Sequence, residues 1–507
     1  MSRRVSILAV LSFFVLVLSA CAGQATPTPE PSTPTEAAAA AQPSPTSPPA
    51  EAQPTPTEVA ASPTPEPTTA PAPDGQAEEL TFYFVQHALC AWDSFWCTVE
   101  QGIQDAAAMM GINVTILGPD EFDLEKTAAL IDQAVAAQPD GLAVTVTDPV
   151  LFKEPIQRAL DAGIPVVGYN AGAGPEADGI PYLTFIGMDE YQGGYQGGKR
   201  LIAAGATQGV CINHQVGHAG LDARCRGFQD AFEEAGLEAE VLAITNDPAE
   251  SQTIIDDFFT ANPDVDAFLT LGPNGANPFY AFLEAAGLAP GEVFHGTFDL
   301  SPEIVARLED GTTLFAIDQQ PYLQGFASVM WLAMVNRYGI TPPLPVTPTG
   351  PGFLTAEDLG TKPDPNKPLT LYFVQHALCA WDSFWCVVEN GIQTAAEQLN
   401  IDVTILGPDE FDLEKTAALI DQAVAAQPDG LAVTVTDPVL FKEPIQRALD
   451  AGIPVVGYNA GAGPEADRIP YLTFIGMDEY QGGVSRRQAA DRGRRRPGRL
   501  HQPPSRP

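Results

Sequence analysis

The segment LTFYFVQHALCAWDSFWCTVEQGIQDAAAMMGINVTILGP, Leu80–Pro119, contains a complete strand–helix–strand unit. The runs LTFYFVQ and INVTILGP are short and apolar, as buried strands are, and VEQGIQDAAAMMG between them has helical spacing and ends at a glycine. The same alternation of apolar runs and amphipathic stretches continues to about residue 355. It predicts parallel sheets that are covered by helices on both faces.

Two such series of strands and helices follow one another. We therefore predict an α/β protein with two doubly wound parallel-sheet lobes joined by a hinge. The N-terminal lobe is assigned to residues 79–187, completed by a helix at about 321–338. The C-terminal lobe is assigned to residues 188–320, completed by about 340–355. Residues 356–367 are interpreted as a linker.

Residues 368–483 are a partial duplicate of the first lobe. The segment FVQHALCAWDSFWC occurs at Phe84–Cys97 and again, unchanged, at Phe373–Cys386, an offset of 373 − 84 = 289 residues. Val114–Asp178 and Val403–Asp467 are also identical. The copy is not followed by a second opposing lobe, so we predict that it does not bind a ligand with native affinity.

Residues 484–507 form a basic, Pro-rich tail that does not continue the repeat. One choice of codons for Tyr195–Ile202, read after a single inserted G, yields Val484–Asp491 residue for residue. We interpret the tail as a frameshifted, disordered continuation of the repeat. A basic tail that binds an acidic partner is the alternative, and sequencing the gene around codon 483 separates the two.

The N-terminus predicts where the protein resides. MSRR is followed by the apolar run VSILAVLSFFVLVLS and by LSAC, so residues 1–21 resemble a lipoprotein signal peptide with a lipobox. Cys21 would then be lipidated and anchor the chain to the outer face of a bacterial cell membrane. An uncleaved transmembrane anchor is the alternative. Residues 22–78 are rich in Pro, Thr and Ser and predict a disordered linker.

The charge balance excludes some partners. A formal net charge of −39 argues against binding to nucleic acid or to an anionic membrane surface, because both would repel the chain. The signal sequence and the lack of a helix-turn-helix segment exclude a gene regulator.

Eight motifs in the chain carry a family resemblance: DSFWCTVEQGIQDAA, DGLAVTVTDP, GIPVVGYNAG, IGMDEYQGGYQGGKRL, ARCRGFQDAF, NPDVDAFLTL, GTFDLSPE and AIDQQPYLQG. They resemble those of type I periplasmic binding proteins, the sugar-binding components of ABC transporters, in the ribose-binding-like branch. The resemblance covers residues 79–355 in full and 368–483 for the first lobe. It implies a monomeric, non-enzymatic protein without a cofactor, which captures a sugar in its cleft and presents it to a membrane permease.

The resemblance also implies a set of ligand-binding residues. Asp93 would accept hydrogen bonds from sugar hydroxyls, and Phe95 and Trp96 would cover the apolar faces of the ring. The guanidinium fork of Arg224 matches two adjacent hydroxyls. The remaining members of the set end strands or follow them: Thr145, Asn170, Asn246, Asn274, Asp299 and Gln319.

Alternatives remain for several of these residues. Phe95 and Trp96 also fit the core of the first helix, and Asp299 and Gln319 also fit a hinge without ligand contact. Asn170 stands where the ribose-binding pattern has an Asp followed by an Arg, which puts ribose itself in doubt.

Four cysteines lie in the complete unit besides Cys21. Outside a reducing cytosol they are most simply two disulfides, Cys90–Cys97 and Cys211–Cys225. A zinc site that uses His87, His214 and His218 competes with this interpretation. The cysteine spacing is not CxxC and the last two histidines fall in a Gly-containing loop, so we predict no metal.

Other functions stay open at this point. A related binding protein could serve as a receptor for a sugar-like autoinducer or bind a nucleoside. A surface α/β hydrolase or glycosidase is a candidate from another class, although the sequence has no Gly-x-Ser-x-Gly elbow and no carboxylate pair that stands out. Asp93 and Asp299 could mimic such a pair, and a product assay distinguishes turnover from capture.

Overall fold

The computed structural model describes residues 79–360 and 367–477. Four predictions lie outside the described residues: those for the signal peptide, Cys21, the linker 22–78 and the tail 484–507. Residues 361–366 of the second linker and residues 478–483 of the copy also lie outside them. Within the two described ranges, no helix combines the length and the apolar character needed to cross a membrane.

The N-terminal lobe alternates strands with helices from its first residues. Each of the three long helices begins after a strand, and Asp93 and Asp123 cap two of them by accepting hydrogen bonds from backbone N–H groups. The elements are β1 Thr81–Val85, α1 Ser94–Met110, β2 Asn113–Leu117, α2 Leu124–Ala136, β3 Gly141–Val144, α3 Lys153–Asp161, β4 Val166–Tyr169, α4 Pro175–Asp178 and β5 Phe185–Gly187.

The C-terminal lobe repeats this alternation, and its last helix and strands cross back between the lobes. Its elements are α5 Glu190–Ala204, β6 Gln208–Asn213, α6 Ala219–Glu234, β7 Glu238–Ala243, α7 Pro248–Ala261, β8 Ala267–Thr270, α8 Pro273–Ala286, β9 Phe294–Phe298, α9 Pro302–Glu309 and β10 Phe315–Asp318. The returning elements are α10 Pro321–Tyr338, β11 Val346–Pro348 and β12 Gly352–Leu354, followed by a 3₁₀ turn at Ala356–Asp358.

The two lobes share one sheet topology. The first sheet has the order β11-β5-β4-β3-β1-β2 and the second the order β12-β10-β9-β8-β6-β7. Neighbouring strands are parallel except for β10 and β12. The strand order reverses between β1 and β3 and between β6 and β8, and such a reversal leaves a crevice at the carboxyl ends of the strands. The prediction of two doubly wound lobes is confirmed.

The copy forms a third, five-stranded parallel sheet with the order β14-β13-β15-β16-β17. The order is that of the first lobe without its sixth strand. The elements are β13 Leu369–Val374, α11 Ser383–Leu399, β14 Ile401–Leu406, α12 Leu413–Ala425, β15 Gly430–Val433, α13 Lys442–Asp450, β16 Val455–Tyr458, α14 Pro464–Asp467 and β17 Phe474–Ile475. The predicted repeat of the first lobe is confirmed.

Helix α10 covers the first lobe by packing closely on α1. A Cβ atom built on Gly102 would lie 2.2 Å from the carbonyl oxygen of Tyr322, and one built on Gly325 would lie 2.2 Å from that of Val99. Only glycine at both positions permits this approach of the two backbones. The contact closes an apolar core that includes Phe82, Phe84 and Leu332.

The chain crosses between the lobes three times, after β5, after β10 and between β11 and β12. The last crossing corrects one assignment. Residues 340–355 were expected to complete the C-terminal lobe, but β11 pairs with β5 of the first lobe and only β12 joins the second. Strands of three residues carry too weak a period to show in the sequence which sheet they join.

Candidate ligand-binding site

The carboxyl ends of the two sheets face one another across a cavity of about 40 Å³, the core cavity. The first lobe contributes side chains that follow β1 and β4, and the second contributes side chains that follow β6, β8, β9 and β10. The residues that line the cavity are His87, Asp93, Phe95, Trp96, Asn170, Glu190, His214, Gln215, His218, Leu221, Arg224, Leu271, Gly272, Pro273, Asn274, Asp299 and Gln319.

The cavity brings together eight of the ten residues expected to bind a ligand. Two are placed elsewhere, and both expectations are corrected here. Thr145 is fully buried behind His87, where its hydroxyl holds that imidazole instead of facing the cavity. Asn246 lines a separate cavity between the lobes, which it shares with Trp92 and Asn277.

The β1–α1 loop presents the aromatic wall of the cavity. Asp93 caps α1 by accepting a 3.1 Å hydrogen bond from the backbone N–H of Phe95. This cap fixes the first turn of the helix, which carries Phe95 and Trp96. A disulfide between Cys90 and Cys97 closes the loop around that turn, with its Cα atoms 4.4 Å apart.

Arg224 and Glu190 form a buried ion pair at the second lobe's side of the cavity. The Nε of Arg224 donates to a carboxylate oxygen of Glu190 at 2.5 Å, and its Nη1 donates to the carbonyl of Leu271 at 2.9 Å. Nη2 is therefore the remaining donor group of the guanidinium. Helix α5 reaches Arg224 because Gly194 lacks a Cβ, which would lie 1.8 Å from the Arg224 carbonyl oxygen.

Two histidines join the lobes through a directed chain of hydrogen bonds. The Nδ1 of His218 accepts from the backbone N–H groups of Gly220 and Leu221, so its proton sits on Nε2. That Nε2 lies 3.2 Å from the Nε2 of His87 and donates to it. His87 is then protonated at Nδ1, which donates to the hydroxyl of Thr145 at 3.0 Å. Both imidazoles are neutral, and all four ring nitrogens are engaged.

Polar strand ends form a second chain across the cleft. Asn170 and Asp299 follow β4 and β9 with φ of 59° and 65°, a left-handed conformation that costs free energy for residues other than glycine. Gln319 connects them: it accepts from the amide of Asn170 at 3.3 Å and donates to the carboxylate of Asp299 at 2.8 Å. Backbone strain of this kind clusters at ligand sites.

Burial shifts the pKa values of the titratable side chains that line the cavity. Desolvation raises the pKa of Asp93 to about 6, against the lowering effect of its bond from Phe95, and raises the pKa of Asp299 to about 7, against that of Arg224. Desolvation also lowers the pKa of His87 and of His214 to about 3, helped by the charge of Arg224. These shifts follow from burial, so the titratable groups of the cavity are poorly solvated.

The lobes are closed on each other in this structure. Besides the His87–His218 contact, the N–H of Ala219 donates to the carbonyl of Thr147 at 3.1 Å, and Phe122 stacks on His218 with ring centroids 5.9 Å apart. A cavity of about 40 Å³ holds about three water molecules.

The chemistry of these side chains suits hydroxyl groups better than a metal. Among residues 79–360 and 367–477, no cluster of three or more His, Cys, Asp or Glu side chains has the geometry to hold a metal ion. The cysteines are paired in disulfides instead: Cys90–Cys97, Cys211–Cys225 and, in the copy, Cys379–Cys386.

Sequence reasoning missed several residues of the cavity. His214 directly follows β6, and His87 lies two residues after the end of β1, so a search of the strand ends could have found both. They were weighed as metal ligands instead. Glu190 is the first residue of the crossover helix α5, and only its contact with Arg224 reveals its place.

One known protein family matches this chain, and it does so in two places. The profile described as periplasmic binding protein domain matches residues 90–337 and again residues 379–493. Together these ranges span more than half of the chain.

Two curated relatives are sugar-binding proteins. A xylose/arabinose-binding protein of Sulfolobus acidocaldarius is 30% identical over 256 residues, which is 48% of this chain and 63% of the relative. A D-ribose/D-allose-binding protein of Pseudomonas aeruginosa is 26% identical over 213 residues, 39% of this chain and 64% of the relative. The chain thus spans less than two thirds of the length of each.

A solved structure supports the fold and the family together. The carbohydrate transporter of Acidothermus cellulolyticus, in complex with myo-inositol, is 31% identical and superimposes with a TM-score of 0.50. The match covers 55% of this chain and 95% of that chain.

Proposed function

Because the chain belongs to the periplasmic binding protein domain family, we propose that it captures a small sugar between its two lobes and releases it unchanged. The observation that carries this proposal is the convergence of polar side chains from both lobes on one closed cavity. Ligand contacts made by both lobes at once exist only in the closed form, so a bound sugar shifts the population toward closure.

The cavity side chains have complementary roles in this proposal. Asp93 and Asp299 accept from sugar hydroxyls, Arg224 donates to two adjacent oxygens, and Asn170, Asn274 and Gln319 both donate and accept. Phe95 and Trp96 cover the apolar C–H face of the ring. The Nδ1 of His214 is buried and has no partner among the described residues, and a ligand hydroxyl would satisfy it.

The ligand class follows from the relatives and from the charge of the cavity. The relatives are named for xylose, arabinose, ribose and allose, and the solved structure holds myo-inositol. In the cavity, Glu190 offsets the charge of Arg224, and buried carboxyls remain. This balance disfavours an anionic ligand such as a sugar phosphate, so we propose a neutral pentose, hexose or cyclitol.

The protein would act outside the cytoplasm and deliver the sugar to the permease of an ABC transporter. Three disulfides favour an oxidising compartment. Lipidation of Cys21 would tether a monomeric chain to the membrane, with the Pro-rich linker as its spacer. The family consists of binding proteins, which supports capture without catalysis.

Titration calorimetry of the full chain tests the proposal. The probes are D-xylose, L-arabinose, D-ribose, D-allose and myo-inositol, each followed by chromatography of the recovered sugar. We expect at least one probe to bind and to be recovered unchanged. Loss of binding to all five, or appearance of a reaction product, would contradict the proposal.

The duplicated loop supplies a matched control. Asp93→Ala removes a buried acceptor from the cavity, and we expect it to weaken binding about 10- to 100-fold, the usual effect of losing a hydrogen bond to a charged group. Asp382→Ala changes the identical residue of the copy, which caps α11 in the same way and lies outside the core cavity. It should leave the affinity unchanged. If Asp93→Ala lowers stability as much as Asp382→Ala does and leaves the affinity unchanged, Asp93 acts only as a helix cap.

A further inference from the structure

A second cavity, the mouth cavity, lies between the lobes next to the core cavity. Its volume is about 240 Å³, several times that of the core cavity. The first lobe contributes Trp92 with Asp120 and Glu121, and the second contributes three asparagines, Asn246, Asn274 and Asn277. Asn274 also lines the core cavity, so the two spaces meet at its side chain.

Trp92 forms a fixed aromatic wall of this mouth cavity. Its indole N–H donates to the carbonyl of Pro119 at 3.1 Å, which ties the β1–α1 loop to the β2–α2 loop. The side chain is half-buried and packs against the core of the first lobe. An anchored indole loses little conformational entropy on binding, and its face suits the apolar C–H face of a sugar ring.

Polar groups face this wall from the other lobe. The hydrogen bonds within the described ranges include none made by the side-chain amides of Asn246, Asn274 or Asn277. Each amide offers two donors and an acceptor, as hydroxyl recognition requires. Asn246, which lies outside the core cavity, is one of these three amides.

We propose that the mouth cavity binds a second sugar ring, so that the preferred ligand is a disaccharide or glycoside whose first ring occupies the core cavity. This inference rests on the proposed capture of a sugar. The second ring stacks on Trp92 and bonds to the three amides. Asp120 and Glu121 at the rim disfavour an anionic group there, although Lys126 neutralises Asp120 through a 2.8 Å ion pair.

The copy again offers a matched control. Trp381 stands in the same local geometry as Trp92, with its N–H donating to the carbonyl of Pro408 at 3.1 Å. The asparagines that face Trp92 belong to the C-terminal lobe, and the sequence contains that lobe once. Trp381→Ala therefore removes the same indole without touching the mouth cavity.

Calorimetry of the full chain with paired probes tests the inference. The pairs are D-xylose with xylobiose, L-arabinose with arabinobiose, and D-allose with a D-allosyl glucoside. We expect the disaccharide of the recognised sugar to bind about tenfold more tightly than the monosaccharide, the gain that one aromatic stacking contact provides. Trp92→Ala should remove most of this gain, and Trp381→Ala none of it.

Asn277→Ala provides a second variant, because Asn277 is exposed on α8 and its loss does not disturb packing. It should also reduce the gain while the monosaccharide binds as before. The inference is overturned if disaccharides bind no more tightly than monosaccharides, or if both variants weaken the two ligands equally. Failure of every saccharide to bind would instead overturn the proposed function, and the inference with it.

Discussion

The same fourteen residues, FVQHALCAWDSFWC, stand in two different surroundings in this molecule. In the complete unit, Phe95 is 7% exposed, and its counterpart Phe384 in the copy is 53% exposed. Trp96 and Trp385, the next residues, are each 1% exposed. Burial of the tryptophan is therefore a property of the single lobe, and burial of the phenylalanine depends on the rest of the complete unit.

Helix α1 and its counterpart α11 differ in the same way. Seven residues of α1 are buried, and only Trp385 and Ala396 of α11 are. The sequence contains the segment of α10 once, and it packs on α1. Where α10 would lie on the copy, the structure has an apolar groove of about 200 Å³, lined by residues that include Leu371, Phe373 and Val456. A closely similar sequence thus forms the same strands and helices in the copy but a less complete core.

The largest expected contrast concerns the two glycines that face the α10 position. Gly102→Leu places a side chain where the Tyr322 carbonyl lies, and we expect the free energy of unfolding to fall by about 3 kcal/mol. Gly391 has no heavy atom within 4 Å of a built Cβ, so Gly391→Leu should raise it by about 0.5–1 kcal/mol through helix propensity. Calorimetric unfolding of the full chain measures both. Equal destabilisation by the two changes would mean that α10 does not distinguish the copies.

The next contrast is between two histidines of identical sequence context. Burial lowers the pKa of His87 to about 3, helped by His214 and Arg224, and lowers that of His376 from a position only partly buried. We expect His376 to begin protonation at a higher pH than His87. Imidazole proton resonances followed by NMR from pH 8 to pH 5 measure this, with His87→Gln and His376→Gln for assignment. Parallel titration of the two rings would contradict the closed cavity.

Ring resonances are the right observable because net stability mixes opposite signs. A histidine whose folded pKa is lowered contributes stability that is lost as the pH falls below about 6.5. Asp93 and Asp299, whose folded pKa values are raised to about 6 and about 7, contribute stability that is lost as the pH rises through those values. The two trends offset each other between pH 5 and pH 7.

We expect the smallest difference between the two copies at a pair of matching surface ion pairs. Arg158 donates two hydrogen bonds to Asp132, and Arg447 donates two to Asp421, at distances of 2.8–2.9 Å and with similar exposure in both copies. These pairs join the second and third helices, away from the opposing lobe. We expect Arg158→Ala and Arg447→Ala to cost the same, about 0–1 kcal/mol. A clear difference between the two variants in denaturant unfolding would show that the absence of α10 changes the stability of the whole copy.

Much of the fold could be read from local patterns. The runs that predicted strands at LTFYFVQ and INVTILGP form β1 and β2, and VEQGIQDAAAMMG lies within α1 and its glycine C-cap. The family resemblance placed Asp93, Asn170, Asp299 and Gln319 in one site, and all four line the core cavity. Arg224 lines the core cavity as expected.

The sequence by itself determined the alternation of strands and helices, the division into two lobes and the duplication, because these depend on short-range periodicity and on repeated letters. Only the tertiary structure decided which strand ends meet. The His87–His218 contact joins residues 131 positions apart, and the Asn170–Gln319 contact joins residues 149 apart. Contacts across that separation depend on how two lobes close. The copy has counterparts of His87 and Asn170 but, among the described residues, no second lobe for them to contact.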